Sequence, residues 1–336
     1  MATTFLLGYG GVFWGIWHFA DRFGEEKVVT LLLWAGAAVI VAGWGELVFG
    51  YGSPLQGYGL QSPGYQSSGV FSLGARFRGI LENPNALGQL SALISPLILA
   101  QGLKTKNFSI YLFLALTMVT LMLTGNRSGI GAAAVASGYV LWKAENVDRR
   151  IALTFLLGAI GLGLYGLRGE ISSILVRADT LDTASRRVVM WDLFSEYIQN
   201  RPLIGHGWGT EDLLHGFYGT NVEALYLRQN VAASSYIGIT AQVGLIGAAA
   251  FFLPLLWLAG HTALAWQGMS LQLHALNAVL LVGLIVAVTQ SWMSSMGHAK
   301  ALTFWVPVML LMRRRVTARR AYRKRHSVQN GSTASV

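Results

Sequence analysis

Apolar residues run through this sequence in long blocks rather than alternating with polar ones, and short polar or glycine-containing breaks separate the blocks. The segments near 4–20, 28–50, 86–103, 108–125, 129–142, 151–167, 234–260, 275–295 and 299–312 are almost continuously apolar. A helix that crosses the hydrocarbon layer needs about 20 such residues. The pattern therefore predicts an all-α, polytopic transmembrane helical bundle of about nine spans, with eight to ten as the range. Segments 129–142 and 299–312 are short for a full crossing and read as tilted, re-entrant or half spans. The opening MATTFLLGYGG lacks the basic stretch of a cleaved leader and reads as the start of a retained span.

Two connections, 51–85 and 168–233, are much longer than the rest, and loops of that length are usually functional or disordered. The first opens on YGSPLQGYGLQSPGYQSSG, uncharged and rich in Gly, Ser, Pro and Tyr, so residues 51–69 read as a lid, a linker or a plain tether. The second contains ASRRVVMWDLFSEYIQN, in which Met190, Leu193 or Phe194, and Tyr197 recur at helical spacing before Pro202 ends the run. This predicts an amphipathic helix on the outer surface of the bundle. With 53% hydrophobic and only 12% charged residues, a water-facing globule is a poor fit. The absence of cysteine excludes disulfides, thiolate metal sites and a cysteine nucleophile.

Charge gives the expected orientation. Lys and Arg number 25 against 15 Asp and Glu, and eight of the basic groups lie between Arg313 and Arg325. Residues 313–336 read as a basic cytoplasmic tail on a membrane domain of residues 1–312. Such a tail attracts membrane lipid headgroups and, beside so many spans, does not suggest nucleic acid. With the tail inside, the basic residues of the short loops (Arg22 and Lys27, Lys104 and Lys106, Lys143, Arg149 and Arg150) also fall inside, as the positive-inside rule asks. The N-terminus then lies outside. Ten basic residues remain on the outer face, nine of them arginine. Arginine's planar fork binds phosphate and carboxylate in two-pronged fashion and keeps its charge, so this face suits an anion. The alternative is pairing with outer acids such as Asp179, Asp182 and Asp192.

Four segments, in this order and topology, resemble the O-antigen ligase and O-antigen polymerase superfamily of bacterial membrane glycosyltransferases. They are Arg76-Phe-Arg78-Gly79 with Asn83-Pro84-Asn85 and Gly88; Thr124-Gly125-Asn126-Arg127-Ser128-Gly129; Ser185-Arg186-Arg187 with Trp191 and then Asn200-Arg-Pro202-Leu-Ile-Gly205-His-Gly207; and Ser234-Ser235-Tyr236 through Gln242-Val-Gly244-Leu-Ile-Gly247. The resemblance implies an inner-membrane enzyme that moves a polyprenyl-pyrophosphate-linked glycan, at the outer face, to a glycan, lipid-core or protein acceptor. It implies inversion at the anomeric carbon, no metal and no cofactor. Ala232-Ala233-Ser234-Ser235 stands where family ligases often have a His-Asn pair, which tilts the reading toward a polymerase.

Pyrophosphate is a stable anionic leaving group, so fixed positive charge in a low-dielectric pocket can carry much of the catalysis. On that basis Arg78, Arg127 and Arg187 form the expected clamp, with Arg76 and Arg186 as alternates and Asn85 and Trp191 as further substrate contacts. Snorkelling to the interface is the plainer role for Arg127, and an ion pair with Asp182 the plainer role for Arg186 or Arg187. His206, between two glycines, and His215 are candidates to activate the acceptor, or else solvated loop residues. Glu46, a carboxylate inside a span, is a functional candidate by position, or a partner for an outer arginine. His18, His261, His274 and His298 lack metal-ligand spacing. Two rival classes remain: a transporter or flippase of an anionic lipid or solute, and a non-catalytic subunit of a polysaccharide-export complex.

Overall fold

The computed structural model describes residues 2–49, 60–61, 76–81, 83–144, 191, 194–208, 234–264, 269–293 and 299–332. Eight long helices account for most of them: α1 (Ala2–Phe23), α2 (Glu25–Phe49), α3 (Pro84–Thr105), α4 (Phe108–Leu123), α5 (Arg127–Lys143), α6 (Ser235–Leu264), α7 (Leu271–Ala287) and α8 (Ala299–Ser332). Each falls on one of the predicted spans; the span expected at 151–167 lies outside the described residues. Glu25–Phe49, Pro84–Thr105 and Ser235–Leu264 are long and apolar enough to cross a membrane, and Phe108–Leu123 and Leu271–Ala287 are shorter apolar helices. Among the described residues the architecture is helical apart from one pair of two-residue strands, and it shows eight long helices rather than an established nine-span bundle.

The turns explain why consecutive helices run antiparallel. Gly24, at φ 87, lets the chain reverse between α1 and α2. Lys106 closes α3 in the left-handed conformation, its N–H donating to Gly102 O at 2.7 Å, and Asn107 then caps α4 by accepting from Ser109 N at 2.9 Å. Gly125, at φ 61, and Asn126 do the same between α4 and α5. The short basic loops consequently gather at one end of the bundle. There Lys104 pairs with Glu26 at 2.8 Å, and Arg313 with Asp21 at 2.6 Å. Arg78 and Arg127 lie at the other end, called the mouth below.

At the centre stand α3 and α7, which are buried on almost every side: Leu87 to Ala100 of α3, and His274 to Leu280 of α7. Small residues bring the surrounding helices close, as membrane packing requires. Ala132, Ala133 and Ala136 of α5 are buried, and Gly283 of α7 faces the Phe304 ring of α8, where a Cβ would come within 2.2 Å.

Two features add to what the sequence pattern indicates. The basic segment continues α8 without interruption to Ser332, with Arg313 and Arg314 clamped to Asp21 and Glu25 of the α1–α2 turn. Within the first long connection, Leu60–Gln61 pairs antiparallel with Arg76–Phe77, forming the strands β1 and β2. The rest of 51–69 lies outside the described residues.

Candidate active site at the mouth of the bundle

Of the helices that begin at the mouth end, α3, α5 and α6 have their first turns tied together by one polar array. Asn83 caps α3 by accepting from Asn85 N at 2.8 Å, and Asn126 caps α5 by accepting from Gly129 N at 3.1 Å. The Asn126 amide donates to Asn85 O at 3.2 Å, joining the two helix starts. Its oxygen also accepts from Ser128 Oγ at 3.1 Å and from Gln290 Nε2 at 3.2 Å. Gln290 Oε1 in turn accepts from Gln89 Nε2 of α3. The Gln290 carbonyl accepts from both the N–H (3.1 Å) and Oγ (2.8 Å) of Ser235, which opens α6, and Ser235 Oγ accepts from Trp292 N at 3.0 Å. Gly88 makes this approach possible, since a Cβ there would lie 2.5 Å from Thr124 Oγ1 and 2.6 Å from Asn126 Cβ.

Electrostatics follow from this geometry. Each helix N-terminus carries roughly half a positive charge, so three of them on one array make an end that favours an anion. Arg127 is the first residue of α5 and is exposed. A cation at that position opposes the macrodipole by about 0.3–1 kcal/mol, a cost that an anion shared between side chain and helix end would reverse. Arg78 is half-buried in the turn after β2. That turn is held rigidly: Phe77 is buried against Trp44 at 5.5 Å, and Gly79, at φ 55, packs on Gly43 so closely that a Cβ would be 3.0 Å from the Gly43 Cα. Trp44 is itself fixed by its indole N–H donating to Thr120 Oγ1 at 2.9 Å.

The other predicted residues divide as follows. Asn85 belongs to the array through its carbonyl. Of Arg76 only the backbone is described, within β2. Arg186, Arg187 and His215 lie outside the described residues. Trp191 is half-buried, with a buried indole N–H that takes no partner. Glu46 is half-buried on α2, three residues after Gly43. Among the described residues it forms no ion pair, so the pairing considered for it is not made with Arg78 or Arg127. Among the described residues, no three His, Asp or Glu side chains are grouped as a metal site would require.

The predicted helix of the second long connection is present at 194–200, with Phe194 and Tyr197 buried against Ala241 of α6. His206 follows it, and its ring stacks on Tyr197 with centroids 3.5 Å apart. Its Nε2 lies 2.8 Å from Tyr197 O. A ring nitrogen facing a carbonyl carries the proton, which leaves Nδ1 as the basic nitrogen. Holding the loop is thus one role of His206, and any base role falls to Nδ1.

Gln89 and Gln290 were not singled out by sequence reasoning. The available signal was an amide inside an apolar run, expensive in a membrane unless it is used. Replacing Gln290 with leucine leaves Gln89 Nε2 and one side of Asn126 Oδ1 without their partner, at about 1–3 kcal/mol for a buried polar group. The expected result is a lower melting temperature in detergent, with Gln290→Asn, which keeps both a donor and an acceptor, losing less than Gln290→Leu.

A membrane-embedded helical bundle with a cationic, hydrogen-bonded mouth is the class these features define. Residues 112–252 match the family model described as O-antigen ligase, from α4 through the Asn126–Arg127 turn and the second long connection into α6. Over these residues, somewhat less than half of the chain, the sequence is similar to O-antigen ligases, which supports membership of the O-antigen ligase and polymerase superfamily and a glycosyltransferase-type activity in general. The Arg76–Gly88 segment precedes the matched residues. No curated protein matches the sequence.

Proposed function

We propose that the chain is an inverting, metal-independent glycosyltransferase of the bacterial inner membrane that works on polyprenyl-pyrophosphate-linked glycan. The observation that carries this reading is the convergence of the α3, α5 and α6 N-termini on one polar array beside Arg127 and Arg78. The pyrophosphate binds there, with Arg187 of the second long connection completing the clamp and Arg76 or Arg186 in reserve. An acceptor hydroxyl attacks the anomeric carbon from the face opposite the phosphate. The new C–O bond forms as the old one breaks, and the bonding electrons leave on pyrophosphate, where fixed charge stabilises them without a proton donor. The hydroxyl proton passes to a base, for which His206 Nδ1 and His215 are the candidates. The basic α8 extension sits in the cytoplasm and the mouth faces outside. Ala232-Ala233-Ser234-Ser235 favours a polymerase over a ligase.

The test is turnover of a polyprenyl-pyrophosphate-linked glycan in membranes by the wild type and by Arg127→Ala and Arg187→Ala, with protein levels matched and metal chelated. Elongation or transfer by the wild type and its loss in both variants is the expected result. A wild type that leaves the glycan untouched overturns the reading in favour of transport or a non-catalytic role.

A further inference from the structure

The helix α6 is broken at Gly244, whose backbone turns to φ 69 and ψ −178. Breaking a helix inside a membrane exposes carbonyls and N–H groups that lipid cannot satisfy. Here the loop at 202–207 satisfies them. His206 N donates to Ala241 O at 3.1 Å and Gly207 N to Gln242 O at 2.8 Å, while Leu245 N donates to Pro202 O at 2.7 Å and Ile246 N to Leu203 O at 3.3 Å. Loop and broken helix therefore form one unit joined by these four hydrogen bonds, which lowers the cost of irregular chain at membrane depth.

The depth follows from the other end of α6. Trp257 is exposed and lies under the Arg315 guanidinium at 4.2 Å, with His261 one turn further on, an aromatic and basic pairing typical of a membrane–water interface. Gly244 precedes Trp257 by 13 residues, about 20 Å of helix. In a hydrocarbon layer about 30 Å thick, the break lies roughly 10 Å inside the opposite boundary. The side chains at that level are apolar and outward-facing: Ile204 is 74% exposed, and Leu203, Leu245 and Ile246 are all more than half exposed. They continue the exposed apolar face of α6 that carries Leu253.

We propose that the 202–205 turn is inserted into the bilayer leaflet on the mouth side, with Leu203 and Ile204 in contact with lipid acyl chains. The turn is a re-entrant membrane anchor that fixes the depth of the helix at 194–200 and of His206. This inference is independent of the reaction catalysed.

The chain has no cysteine, so single cysteines can be placed and labelled without background. Ile204→Cys and Leu203→Cys, carrying an environment-sensitive fluorophore in nanodiscs, are compared with Leu253→Cys as the lipid reference and Thr105→Cys as the aqueous one. Expected is quenching of both loop labels by acyl-chain nitroxide lipid to the extent seen at Leu253→Cys, with iodide several-fold less effective than at Thr105→Cys. Iodide quenching of both loop labels equal to that at Thr105→Cys overturns the proposal. Because two adjacent positions report, failure of one variant to fold leaves the other to decide.

Discussion

Arg127→Ala is expected to slow glycan transfer by about 100- to 1,000-fold, the usual loss when one fixed donor is removed from a developing anion. The first turn of α5 is capped by Asn126 rather than by Arg127 itself, so the helix start keeps its cap in the variant. Removing a cation from a helix N-terminus even relieves an unfavourable dipole interaction of about 0.3–1 kcal/mol. Activity and stability should therefore move in opposite directions: a large fall in rate with an unchanged or slightly raised melting temperature. Arg127→Lys keeps the charge but loses the planar fork, and its rate should fall between the two. Initial rates at matched protein, with melting temperatures in detergent, decide the matter. A rate for Arg127→Ala within threefold of wild type removes this arginine from the site.

The elements that carry this argument were unequally legible in the sequence. Helix positions were readable because the solvent is hydrocarbon: every described long helix announces itself as an apolar run, and Asn or Gly punctuates the turns. Arg78 and Arg127 were readable as mouth residues because a charged side chain at the end of an apolar run has few places to go. The length of α8 was not, since hydropathy ends near Met312 while the helix does not. Arginine, alanine and lysine are good helix formers, and Asp21 and Glu25, remote in sequence, hold the first turn of the extension. The amide array was equally hidden. Gln89 and Gln290 are 201 residues apart, and no local periodicity joins them. Only packing of α3 beside α7 brings the two amides together, and only the cap at Asn126 gives the pair a third member. Glycine motifs were visible in sequence, but their partners were not: nothing local says that Gly244 makes room for the backbone of Leu203.

That contact sets the second large effect. Gly244→Ala should destabilise the protein severely, because two independent costs fall on one Cβ. The backbone at φ 69 and ψ −178 belongs to a region essentially reserved for glycine, at about 1–3 kcal/mol for another residue. A Cβ would also lie 2.3 Å from both the carbonyl carbon and the oxygen of Leu203. Those are backbone atoms that cannot swing aside, and overpacking of this kind costs about a further 1–3 kcal/mol. Relief requires the 202–207 loop to lift away, which gives up the bonds from His206 N to Ala241 O and from Leu245 N to Pro202 O and exposes the broken helix. The expected result is a strongly lowered melting temperature in detergent together with new protease cleavage between Arg201 and Trp208. Gly260→Ala, on the same helix with nothing within 4 Å of its Cβ, should leave both unchanged. Should Gly244→Ala melt with the wild type and resist cleavage in the loop, the break in α6 is not locked by this loop, and the anchoring of His206 loses its basis.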